Sequence, residues 1–177
     1  MNERLRVYRP LFSRALSARN TFAAGDVGSA TRALEEILPA IRTVSPWEVY
    51  EEFSYTAPIA VQIARNDPAR AERFLRAMDQ PFPMFRAESL RRQVVSELAE
   101  LVSSGCAQAI GPFEPFPDWN KPTLLRRVHC YEREKSPLLA KAREELVEFI
   151  AQEDPGFRLG EAPGKAPGNL SADAKAP

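Results

Sequence analysis

One histidine and two cysteines among 177 residues leave little material for metal or thiol chemistry. His129, Cys106 and Cys130 supply at most three soft ligands, and no His-x-x-x-His, Glu-x-x-His or Cys-x-x-Cys spacing occurs, so no metal or cofactor is expected. Two thiols do not make a disulfide framework, and the sequence reads them as small reduced core residues. Gly-x-Gly-x-x-Gly and Gly-x-x-x-x-Gly-Lys loops are absent, which excludes the common phosphate cradles, and no Gly-x-Ser-x-Gly elbow presents a serine nucleophile. The start, Met1-Asn2-Glu3-Arg4, has no apolar signal core, and no window approaches the roughly 18 apolar residues of a membrane span. A cytoplasmic protein without membrane insertion is the expectation. Charge of one sign is also lacking: Lys+Arg and Asp+Glu are 24 each, so no overall field gathers nucleic acid and no nucleic-acid partner is expected. Lysine itself is scarce, with 5 against 19 arginines. Arginine favours planar, bidentate contacts with carboxylates.

What is present is helical periodicity. Ala30, Ala33, Leu34, Ile37, Leu38 and Ile41 recur at i, i+3, i+4, i+7, and so do Leu90, Val94, Val95, Leu98, Leu101 and Val102. Leu138, Leu139, Ala142, Leu146, Phe149 and Ile150 repeat the pattern. No segment alternates as a strand would, and no Asn-Gly or Asp-Gly hairpin turn appears. The chain is therefore expected to be all-α. Ser45-Pro46-Trp47-Glu48 reads as a helix start with a capping box, and Asp67-Pro68 and Ser136-Pro137 as further starts, because proline fits the first turn where its missing N–H has no partner. Pro39 and Pro58 fall inside apolar patterns and predict kinks or early stops. The folded part is expected over residues 4–157. Residues 158–177, rich in Gly, Ala and Pro, offer too few apolar side chains to offset ordering and are expected to be disordered.

Prolines 10, 46, 81 and 115 are spaced by 36, 35 and 34 residues, and each precedes a large apolar residue: Leu11, Trp47, Phe82 and Phe116. Pro155 follows after 40. Each interval has room for two helices around an inner turn, at Gly25-Asp26, Asn66-Asp67, Ser104-Gly105 and Lys135-Ser136. A period in this range marks stacked helical hairpins. The order Gly25, Ala30, Leu34 and the order Asn66, Ala71, Leu75, closed by Pro83, resemble a degenerate tetratricopeptide repeat protein; Lys135 and Ala140 fit in part. The stretch after Gly105 departs from the pattern because it reaches Gly111-Pro112 within six residues, and the family's first-helix tryptophan and glycine are out of register. The resemblance implies an α-solenoid of about four helix pairs. A compact helical bundle is the alternative, since both share alanine-rich amphipathic helices.

Stacked hairpins place function on their surfaces, so the leading expectation is a non-catalytic adaptor or scaffold that binds a protein or peptide partner, with no catalytic residues of its own. Tyr50, Tyr55, Arg91, Arg92, Arg126 and Arg127 on first helices and Trp119 in a junction loop are the candidate contacts; Arg91-Arg92 and Arg126-Arg127 on adjacent helices would suit an acidic peptide. The bland reading of the arginines is local pairing with glutamates on solvent faces. Rival expectations are a small helical enzyme or ligand-binding regulator with a pocket near Cys106, His129 and Tyr131, and an accessory subunit of a larger assembly. Trp47, Phe82, Phe85, Phe113, Phe116 and Trp119 lie near inferred loops and are expected to pack back on neighbouring hairpins, with 111–122 the segment best placed for exposure.

Overall fold

A computed structural model describes residues 9–153; the expected tail, 158–177, lies outside the described residues. The described chain is all-helical. Eight α-helices follow one another: α1 Pro10–Ala23, α2 Val27–Ala40, α3 Pro46–Asn66, α4 Pro68–Ala77, α5 Phe85–Leu101, α6 Cys106–Ile110, α7 Lys121–Arg133 and α8 Leu139–Gln152. Short 3-10 turns follow α2, at Ile41–Thr43, and α6, at Gly111–Phe113.

The breaks have local causes. After α1 the chain closes in a left-handed turn: Gly25 has φ 88°, the Asp26 N–H returns to the Thr21 carbonyl and the Gly25 N–H to Phe22. A left-handed residue one past the helix end lets the last carbonyls find donors. Asp26 then caps α2 by accepting from the Ser29 N–H at 2.9 Å. The same closure ends α7, with Lys135 at φ 52° and the Ser136 N–H bonded to the Tyr131 carbonyl. Prolines 46 and 68 sit in first turns as expected, and Pro10 does the same in α1, whereas the start expected at Ser136-Pro137 is corrected: α8 begins at Leu139, with Leu138 at its N-cap position. One further local expectation is corrected, and for Pro58, read as a kink or an early stop, the stop is set aside. Ser45 precedes α3 but makes no side-chain cap: the Glu48 N–H donates to the Ser45 carbonyl (2.8 Å), and the Glu48 carboxylate turns toward Arg9 (3.4 Å). Pro58 does not stop its helix: α3 continues eight residues beyond it, to Asn66. Pro39 stands one residue before α2 gives way to the 3-10 turn.

Successive helices pack as pairs, α1 on α2, α3 on α4, α5 on α6 and α7 on α8, and the first helices of successive pairs also touch: α1 on α3, α3 on α5, α5 on α7. Open stacks and compact bundles share this neighbour order. The first helices run the same way. Arg9, before α1, reaches Glu48, Glu51 and Glu52 in the opening turns of α3, and Arg86 at the start of α5 lies 4.7 Å from the Tyr50 ring centroid. The core between them holds Leu34, Ile37, Phe53, Phe74, Leu98 and Leu124, with alanines 15, 30, 57, 60, 64, 71 and 99 at the interfaces. Small residues let helix axes approach, and each fully buried large apolar side chain contributes about 1.5–3 kcal/mol.

Candidate functional site

The third pair is incomplete. Its second helix, α6, has five residues, against fourteen in α2, ten in α4 and fourteen in α8. Gly111-Pro112 turns the chain into the 3-10 segment before another helical turn is added. As a result α2 packs on α4, but α6 is held by α5 and α7 instead. Between α4 and the α6–3-10 segment, over the face of α5, lies an open cleft of about 760 Å³. That volume is in the range of ligand sites. Leu75 and Met78 form one wall, Val95 and Val102 the floor, and Ala109 and Phe113 the other wall, with Phe116 at the mouth.

The charged residues that α5 and α4 give the cleft differ in their commitments, and exposed Asp79, just past α4, adds a further carboxylate. Those of α5 are committed inside the chain. Glu88 accepts from the Arg91 Nε (2.7 Å), from Arg91 Nη2 (2.6 Å) and from the Phe82 N–H (2.8 Å), and Arg91 Nη1 donates to the Met78 carbonyl at 2.6 Å. Burial works to raise the Glu88 carboxyl, but the hydrogen bonds from Arg91 and Phe82 and the Arg91 charge outweigh it and hold the group below the usual range. Arg92 donates to the Phe116 carbonyl and lies 3.3 Å from Asp118, whose carboxyl burial pushes up against the pull of Arg92. On the α4 rim, by contrast, Glu72 and Arg76 are exposed, and neither has an ion-pair partner among the described residues.

Behind the short helix a second polar cluster fixes α6 and the loop after it. Glu134 at the end of α7 accepts from the N–H groups of Cys106 (2.7 Å) and Ala107 (3.1 Å). These are donors that a helix start leaves without partners. Arg127 grips Glu114 through Nε (3.0 Å) and Nη2 (2.9 Å) and meets Glu145 at 2.7 Å, while the Tyr131 hydroxyl donates to Glu114. Burial pushes the Glu114 carboxyl up, and Arg127, Tyr131 and Lys141 together bring it below its ordinary value; burial and the Glu114 contact push the Tyr131 phenol up. Cys106 and Cys130 are joined in a disulfide, with Cα atoms 5.9 Å apart. The expectation of reduced thiols is thereby corrected. The helices bring the cysteines together across 24 residues, a pairing their spacing does not announce.

Comparison with family models, curated proteins and solved structures finds no match to the chain.

The pocket expected around Cys106, His129 and Tyr131 is not formed. The Cys106 sulfur is bonded to Cys130, Tyr131 is fully buried against Glu114, and His129 points outward, its side chain 62% exposed with Nδ1 3.5 Å from Glu100. Among the described residues no cluster of three or more His, Cys, Asp or Glu side chains is arranged to hold a metal ion, and no helix is long and apolar enough to cross a membrane. Of the candidate contacts, Arg91 and Arg127 are buried and their charges are taken up internally, which removes them from a partner-facing surface. Arg92 and Arg126 are four-fifths buried and pair with Asp118 and with Glu97 and Glu100. Tyr50 lies under Arg86, and Tyr55 stacks edge-on with Phe12 beneath Arg19. Trp119 is 44% exposed, its ring edge toward Phe149. The local-pairing reading describes most of the arginines.

The junction aromatics divide. Phe82 packs into the core against Phe53, and Phe113 is half-buried under Arg91 and Arg92. Trp47, Phe85 and Phe116 instead stand about four-fifths exposed. Trp47 and Phe85 open α3 and α5, and Phe116 precedes α7, so all three lie toward the edge where the parallel first helices begin.

Proposed function

We propose that this chain is a non-catalytic adaptor that holds a segment of a partner protein on its helical surface, with the cleft between α4 and the α6–3-10 segment as the seat. The observation that carries the reading is the cleft itself: apolar on three sides, open to solvent, and bordered by Glu72 and Arg76, which no other residue of the described chain neutralises. Exposed Phe116 adds an apolar side chain to its rim. The resemblance to tetratricopeptide repeats supports the same class of role, since serial helix pairs present extended surfaces. Binding through the paired arginines alone is less well supported, because Arg91 and Arg127 are internal.

The test compares baits: the full chain, a Gln108→Trp variant that fills the cleft from its exposed rim, a Phe116→Ser variant, and a Val27→Ser control at the far end. The adaptor reading expects a discrete partner that the first two variants lose and the control keeps. A partner retained equally by all four, or none recovered by the parent chain, contradicts it.

A further inference from the structure

We infer that the occupant of the cleft is an amphipathic α-helix of the partner protein, lying beside α4 and over α5 in the place that a full-length second helix of the third pair would fill. The inference rests on the adaptor reading and adds the shape and charge of what is bound.

Three observations converge on a helix. First, the gap has a helical origin. α6 is nine residues shorter than α2 or α8 (5 against 14), a deficit of about 13 Å at about 1.5 Å per residue. Second, the walls are laid out as helix-packing surfaces. On α4 the lining residues are Glu72, Leu75 and Arg76, at i, i+3 and i+4, and on α5 they are Glu88, Arg91, Arg92 and Val95, at i, i+3, i+4 and i+7. Such ridges accept the side-chain rows of a third helix, and half-buried Leu75 gives the α4 wall an apolar contact. Third, the charges are complementary to a helix rather than to a uniformly charged ligand. Glu72 and Arg76 are one turn apart, opposite in sign, exposed, and without ion-pair partners among the described residues. A partner helix antiparallel to α4 answers them with a basic and an acidic residue one turn apart on the flank of its apolar stripe. The neighbouring guanidiniums of Arg91 and Arg92 are already engaged with Glu88 and Asp118, so they do not reverse this pattern.

The experiment uses the full chain and two peptide libraries displayed on phage. One holds peptides of about three helical turns with the apolar and flanking positions randomised; the other has the same length with a central Pro-Gly that bars a helix. The chain, its Gln108→Trp variant and its Glu72→Arg/Arg76→Glu double variant are the targets. All three changes are at exposed positions, and circular dichroism confirms that the variants keep the helical fold. The inference expects binders from the helical library that Gln108→Trp weakens at least tenfold, and whose preferred order of basic and acidic flank residues inverts on the double variant. Cleft-dependent binders drawn from the helix-barred library alone would overturn the helix while leaving the adaptor reading standing. Helical binders whose charge order does not invert would overturn the inference as stated. If no binder from either library depends on the cleft, both the inference and the adaptor reading fall.

Discussion

Cys106 and Cys130 tie α6, the shortest α-helix among the described residues, to the last turn of α7, with their Cα atoms 5.9 Å apart and both side chains buried. A five-residue helix closes hardly more than one hydrogen-bonded turn and is not stable by itself. It is held instead by the disulfide, by the Glu134 carboxylate on its first N–H groups, and by packing on α5. Because α6 carries one wall of the cleft, these ties also hold the cleft open.

Removing the disulfide by Cys106→Ser with Cys130→Ser is expected to lower stability by about 3 kcal/mol, the scale for freeing a loop of this length. The loss is read as a drop in the urea midpoint at pH 7, and hydrogen exchange is expected to quicken first in 105–113. Uniform quickening along the chain would show that α6 does not depend on the bond.

Glu114 is the anchor of the loop that leads from the cleft to α7. Its replacement by Gln leaves the buried Arg127 with Glu145 alone and is expected to cost about 3–5 kcal/mol. The carboxyl is held below its ordinary value of 4.5, so its contribution is complete above that value and is lost as pH falls through the lower folded value. The gap in urea midpoint between parent and Glu114→Gln is therefore expected to be wide at pH 7 and to narrow toward pH 3. Glu52 acts in the opposite sense, because burial raises its carboxyl and its charged form is disfavoured in the fold. A gap that widens as pH falls contradicts the assignment of Glu114 as a paired carboxylate.

Gly105, just before α6, has φ 80°, so Gly105→Ala places a β-carbon in a strained backbone and is expected to destabilise by about 1 kcal/mol, although nothing lies within 4 Å. Gly111, just after α6, has helical angles (φ −51°, ψ −39°) and precedes Pro112, whose ring crowds a β-carbon on a helical preceding residue, so Gly111→Ala is also expected to destabilise despite the open space around it. Thermal unfolding of the two variants decides; a gain in stability at either position would contradict the backbone assignment of this segment.

Much of the fold is written locally. Gly25-Asp26, Asp67-Pro68 and the 3.6-residue periodicity predict helix ends and helical class from neighbours in sequence, where backbone chemistry decides. Gly111-Pro112 likewise shows that the third pair is short. The cleft that this shortness creates is not legible, since it depends on how α4 and α6 sit across α5. The disulfide and the burial of Arg127 escape for the same reason: their partners, 24 residues away in one case and in the 111–122 loop and α8 in the other, are brought close by helix packing alone. Arg91 carried a readable sign in Glu88 three positions before it, the spacing of a helical ion pair.

Site-specific photocrosslinking in cells tests the partner-holding cleft most directly. A benzophenone side chain at Gln108, on the exposed rim of the cleft, is expected to form an adduct with a discrete protein, and one at Gln62, exposed on α3 away from the cleft lining, is expected to form none. Adducts from Gln62 with none from Gln108 would place the partner elsewhere and contradict the account.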